Sequence, residues 1–111
     1  MTDHELIMVA AKATGMTLIP RDDGTYEVPN DSFYPSRWWN PLACDDDAFR
    51  LMVDHELLVL PQDGHSVIVD WYGSGSVEEP FGTNKYADTR RAIVRAVIEK
   101  ANAKGAADGS C

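Results

Sequence analysis

Arg90 is the side chain whose position most demands an explanation. Between about residues 84 and 104 the apolar residues Ala87, Ile93, Val94, Val97, Ile98 and Ala101 gather on one broad face at about 100° per residue, and Arg90 projects onto the middle of it. A guanidinium on such a face must meet a carboxylate or several carbonyls, or it costs several kcal/mol. Asp45, Asp47 and Asp70 are the candidate partners. The pattern predicts a buried structural ion pair tying the last helix to the loop Trp39-Asn40-Pro41-Leu42; the competing readings are an anion-binding arginine in a pocket and a side chain snorkelling at the edge of the face. Arg91 and Arg95 project toward the edge of the face and the solvent.

The second constellation is aromatic. Phe33, Tyr34, Arg37, Trp38 and Trp39 fall in a stretch broken by Pro29, Pro35 and Pro41. Tryptophan beside arginine is what interface hot spots and stacking sites use. Two adjacent tryptophans cannot easily both point inward, so Trp39 is expected in the core and Trp38 outside it. Trp38, Arg37 and Tyr34 are therefore candidates for contact with a partner or ligand, with Arg91 and Arg95 on the last helix.

The remaining reactive groups read as structural. Asp45-Asp46-Asp47 lacks the spacing of a calcium loop and is expected to cap a helix N-terminus. His4, His55 and His65 are isolated, and a zinc site needs three or four converging ligands. Gly73-Ser74-Gly75-Ser76 has neither the lysine nor the spacing of a phosphate loop and reads as a flexible hinge or hairpin end. Cys44 and Cys111 are expected to be free thiols. These readings predict no catalytic residues, no metal and no cofactor: a protein that is not an enzyme.

Charge divides the chain of 111 residues, whose formal net charge is −8. Residues 1–82 hold 4 basic and 15 acidic side chains, and residues 83–111 hold 6 basic and 3 acidic. The acidic body repels nucleic acid at long range, so a nucleic-acid role would rest on the last helix alone. The basic face Arg91, Arg95, Lys100 and Lys104 reads first as a solvated surface; the alternatives are an acidic partner or the acidic body of a second copy, giving a homodimer. No window approaches the length of a membrane span, and the acidic N-terminus does not read as a secretory signal.

The elements that position these groups follow from local pattern. Thr2-x-x-Glu5 is a capping box opening a helix over 2–14, with Gly15 supplying its left-handed end. Met16–Ile19, stopped by Pro20, and Thr25–Val28 form a small hairpin around Asp23-Gly24. Residues 29–44 are an irregular loop. A second helix covers 45–55, with Ala48, Phe49, Leu51, Met52 and Val53 apolar. Glu56–Leu60 is expected as a buried strand stopped by Pro61. His65–Tyr72 returns with Val67, Val69 and Trp71 on one face, and Val77–Pro80 adds an edge strand. The last helix ends before Gly105, giving one domain over 1–105 and a flexible tail over 106–111. This order predicts an α+β fold, an α/β/α-type layered sandwich with a small, mostly antiparallel sheet and about three helices.

Three stretches carry a resemblance: Trp39-Asn40-Pro41-Leu42 followed by Asp45-Asp46-Asp47-Ala48-x-x-Leu51; Ala87-Asp-Thr-Arg-Arg-Ala-Ile-Val-Arg-Ala96; and Glu5-Leu-x-x-x-Ala-Ala-Lys-Ala-x-Gly15. Together they resemble a family of small phage and prophage proteins with an α/β/α sandwich domain and no established activity. Ala43-Cys44 and Asp46 depart from a more usual Thr-Asp-Asp-Gly-Asp run. The resemblance implies a phage accessory protein in the host cytoplasm. It would act by binding a host protein or small ligand, for example by inhibiting a host defence system. The alternative is a small nucleotide- or phosphate-binding domain, or an enzyme, using Arg90 or Arg37.

Overall fold

The computed structural model describes residues 1–28 and 38–109. Three helices and two antiparallel sheets make an α+β fold. Helix α1 (Asp3–Ala13) opens on the expected capping box: the Glu5 N–H donates to Thr2 Oγ1 at 3.2 Å and the Thr2 N–H donates to Glu5 Oε1 at 3.1 Å. It closes at Gly15, whose φ of 80° lets the Met16 N–H reach Ala11 O at 2.8 Å, a left-handed stop that satisfies the last carbonyls.

Strands β1 (Ile19–Pro20) and β2 (Tyr26–Glu27) form the small hairpin, so pairing begins at Ile19, where the sequence suggested a strand ending there. His4 Nδ1 lies 2.8 Å from the Tyr26 hydroxyl and ties the hairpin to α1. The hairpin is extended by a bridge from Glu27 to Trp38.

Helix α2 (Asp45–Asp54) starts one residue after Cys44, which caps it without a side-chain hydrogen bond. The aspartates do not cap the helix as expected. Asp47 points back instead, its Oδ2 accepting from the Asn40 N–H at 2.9 Å, while Asn40 Oδ1 accepts from the Leu42 and Ala43 N–H groups at 3.0 and 3.2 Å. The Trp-Asn-Pro-Leu segment is thus a side-chain-built turn locked onto the first turn of α2.

Strands β3 (Leu58–Gln62), β4 (Ser66–Asp70) and β5 (Ser76–Pro80) form an antiparallel meander with β4 in the middle. Asp63 and Gly64, with φ of 47° and 78°, make the left-handed pair that a tight hairpin needs. Val59, Val69 and Val77 align across the three strands, and Val67, Val69 and Val77 are buried. Two expectations for β3 are corrected. It passes through Pro61 instead of stopping there, because β3 is an edge strand, where a missing N–H is tolerated. It is also largely exposed, because Leu58 and Leu60 stand on the face opposite the valine row.

Helix α3 (Lys85–Gly109) is the hub, packing against β4, β5, α1 and α2. Ala92, Ile93, Val94, Ala96, Val97 and Ile98 are all buried, an arc of about 240° at 100° per residue. That is wider than the single face read from the sequence, because partners lie on several sides. Ala101, assigned to that face, is exposed. The helix also does not stop at Gly105 but continues to Gly109. The alanines on either side are strong helix formers and outweigh an interior glycine costing about 1 kcal/mol.

Candidate functional site

The first turns of α2 and α3 converge on an open groove of about 480 Å³. Helix α2 contributes Asp45, Ala48 and Phe49. Helix α3 contributes Lys85, Tyr86, Thr89, Arg90 and Ile93, positions that recur on one helical face. Strand β3 adds Pro61 and the β3–β4 turn Gly64, and Phe81 enters from the end of β5.

Local hydrogen bonds set this geometry. Asn84 caps α3, its Oδ1 accepting from the Tyr86 and Ala87 N–H groups at 3.1 Å each. Asp88 Oδ2 accepts from the Gly82 N–H at 2.7 Å and folds the preceding loop back on the helix, which brings Phe81 to the groove. Ala48 and Ile93 are buried at its base, whereas Phe49 and Tyr86 stand 58 % and 67 % exposed at its rim. Val53, one turn beyond Phe49 on α2, is also exposed and extends the apolar strip.

Arg90 closes one end of the groove. Its Nε–H donates to Leu42 O at 2.8 Å and its Nη1 donates to Asp45 Oδ1 at 2.7 Å. The last helix is tied to the Trp-Asn-Pro-Leu loop through Leu42 O, but not by a buried pair, since the Asp45 side chain is 80 % exposed, and Arg90 lines the pocket as well. Of the three candidate partners only Asp45 reaches it. Asp47 is held by the Asn40 N–H, and Asp70 accepts from the Gly73 N–H at 2.8 Å in the β4–β5 turn.

The other sequence-derived candidates are placed elsewhere. Arg91 pairs with Asp3 at 2.6 Å and Arg95 with Glu79 at 2.7 Å, while the Lys100 ammonium donates to His55 O at 2.6 Å. These three cations of α3 have partners in their own chain, two of them carboxylates and one a backbone carbonyl. Arg91 and Arg95 line a smaller cleft of about 390 Å³ between α1, α3 and β5, with their carboxylate partners beside them. Trp39 is buried at 1 % exposure and Trp38 is 49 % exposed, as the adjacency of the two rings required. Trp38 lines neither the groove nor the smaller cleft. Tyr34 and Arg37 lie outside the described residues, as does most of the aromatic loop. Cys44 is a free, exposed thiol.

Phe49, Phe81, Lys85 and Tyr86 were not singled out by their sequence context. One signal did point to Phe49. The apolar residues Ala48, Phe49, Leu51, Met52 and Val53 span an arc of about 200° on α2. A short helix resting on one neighbour buries only part of so wide an arc. Leu51 takes the buried side and Phe49 the open one.

Among the described residues no three His, Cys, Asp or Glu side chains come together as metal ligands, and no helix is long and apolar enough to cross a membrane. No protein-family model, curated protein or solved structure matches the chain. The functional reading therefore rests on the groove.

Proposed function

We propose that this protein acts by contact and not by catalysis, docking an apolar segment of a partner protein in the α2–α3 groove. The observation that carries the reading is the exposure of Phe49 and Tyr86 on opposite helices around a single apolar cleft. Large rings held outside the core cost hydration free energy that a partner's surface relieves, and contiguous exposed apolar patches of this kind mark interaction sites. The strip continues along α2 through Val53, which suits an extended protein contact better than a small enclosed ligand. Following the resemblance to small phage proteins, the partner is a host protein met in the host cytoplasm, such as a component of a defence system.

The alternative is a phosphate or nucleotide held by Arg90. Two of the guanidinium's donors already meet Leu42 O and the Asp45 carboxylate, and a phosphate there would face that carboxylate. This geometry favours the contact reading.

The test is quantitative affinity capture from a lysate of phage-infected host cells, comparing the natural chain with the double variant Phe49→Ser, Tyr86→Ser and with Trp38→Ser. A host protein retained by the natural chain and by Trp38→Ser, but lost by the groove variant at unchanged melting temperature, is the expected result. Identical retention by all three chains would remove the groove from the interface.

A further inference from the structure

The groove differs in charge from the rest of the molecule. The chain carries −8, yet the groove lining holds two cations, Lys85 and Arg90, against one carboxylate, Asp45. The Lys85 ammonium lies 5.6 Å from the centre of the Tyr86 ring, and no carboxylate among the described residues is within ion-pair distance of it. Arg90 uses Nε and Nη1 on Leu42 and Asp45, and its Nη2 meets no acceptor among the described residues. Both helices present their first turns here, through Asp45 and Ala48 on α2 and Lys85 and Tyr86 on α3. The positive end of the α3 dipole therefore abuts the cleft, whereas that of α2 is offset by Asp45, Asp46 and Asp47 in its own first turn.

From this combination we infer that the groove recognises an apolar side chain whose neighbour in the partner chain carries a carboxylate. This rests on the reading of the groove as the docking site and gives it a chemical specificity. The apolar side chain fills the cleft beside Phe49 and Phe81. The carboxylate meets Lys85 and the remaining Arg90 N–H groups, and charge-assisted bonds of this kind are stronger than neutral ones. The acidic body opposes such a segment only at long range, where salt screens the repulsion within about 10 Å at 0.1 M; the charges in contact decide the preference. A basic neighbour at the same place would meet the like charge of Lys85, Arg90 being paired with Asp45. The device therefore selects among apolar segments by their flanking charge.

The experiment titrates three blocked dipeptides, Ac-Trp-Glu-NH2, Ac-Trp-Gln-NH2 and Ac-Trp-Lys-NH2, into isotope-labelled protein at about 0.1 M salt, where the repulsion of the acidic body is screened. The amide shifts of Phe49, Tyr86 and Thr89 are followed. The glutamate peptide is expected to bind about fivefold to tenfold more tightly than the lysine peptide, with the glutamine peptide between them. Lys85→Gln narrows this ratio toward one without unfolding the protein, since Lys85 is exposed. Phe49→Ala weakens all three peptides alike. Equal affinities with clear groove shifts would overturn the charge preference and leave the docking site standing. No groove shifts with any peptide would overturn both.

Discussion

His55 Nε2 and Thr14 Oγ1 lie 3.0 Å apart, joining the end of α2 to the end of α1. The direction of this bond follows from the other partner of the hydroxyl. Thr14 gives its only proton to Ala10 O at 2.8 Å, so it accepts from His55, and the ring nitrogen facing it carries the hydrogen. Burial holds the His55 pKa below its ordinary value. The Lys100 cation pushes it the same way, and Asp54 partly offsets both. The neutral ring is thus the form that joins the helices.

A pH dependence of stability follows. The unfolded chain takes up a proton near pH 6.5 while the folded His55 does not. The unfolded state then binds more protons, so stability falls as the pH drops from about 6.5 toward the lower folded value, and it is complete above that window. Urea unfolding at pH 7.5 and pH 5.5 should show a loss in the natural chain that is smaller in His55→Gln. Equal losses in the two chains would assign the slope to other groups.

Arg90 and Asp45 should contribute unequally. The Asp45 side chain is 80 % exposed and that of Arg90 only 16 %. Removing the exposed partner costs little, about 0–1 kcal/mol for Asp45→Asn. Arg90→Ala also strips Leu42 O of its donor and exposes packed surface, at about 1–3 kcal/mol. Chemical denaturation of the two variants decides the order. A larger cost for Asp45→Asn would mean that the ion pair, not the carbonyl contact, holds the loop to α3.

Helix ends offer a cleaner comparison. Helix α2 closes as α1 does, with the Leu57 N–H on Met52 O at 2.9 Å, but its left-handed position is Glu56, at φ 55°, where α1 has Gly15. A side chain there costs about 1–2 kcal/mol relative to glycine. Glu56→Gly is expected to raise stability by about 1 kcal/mol, and Gly15→Ala to lower it by a similar amount. Thermal melts of both variants measure it.

Cys44 caps α2 without a side-chain bond. Cys44→Ser supplies a hydroxyl to accept from the first turn and should stabilise by about 0.5–1 kcal/mol. An unchanged denaturation midpoint would show that the first-turn N–H groups are already satisfied by solvent.

The 73–76 segment closes the β4–β5 hairpin, one of the two readings its sequence allowed, and Gly75 is fixed there by packing. A side-chain carbon at this position would overlap the indole of Trp71, which is only 8 % exposed. Gly75→Ala should therefore cost about 1–3 kcal/mol through displacement of a packed ring. Trp71 fluorescence should shift with it, whereas a flexible hinge would leave both unchanged.

The amino-acid sequence alone determined the features that depend on neighbours a few positions apart. The Thr2–Glu5 box, the Gly15 stop and the alternation of Val67, Val69 and Trp71 each satisfy backbone groups or sort side chains locally, and each is present in the fold. Only the tertiary structure decided which of several equally apolar surfaces became interior. Leu51 is buried and Phe49 exposed on one short helix, because α3 lies against one side of it. Leu58 and Leu60 face outward because no described helix covers that side of the sheet. Arg90 met Asp45, not Asp47 or Asp70, because the Asn40 turn and the β4–β5 turn had already engaged those two carboxylates. Burial and ion pairing at long sequence separation depend on which elements come to lie together, and residue spacing within one element does not encode that choice.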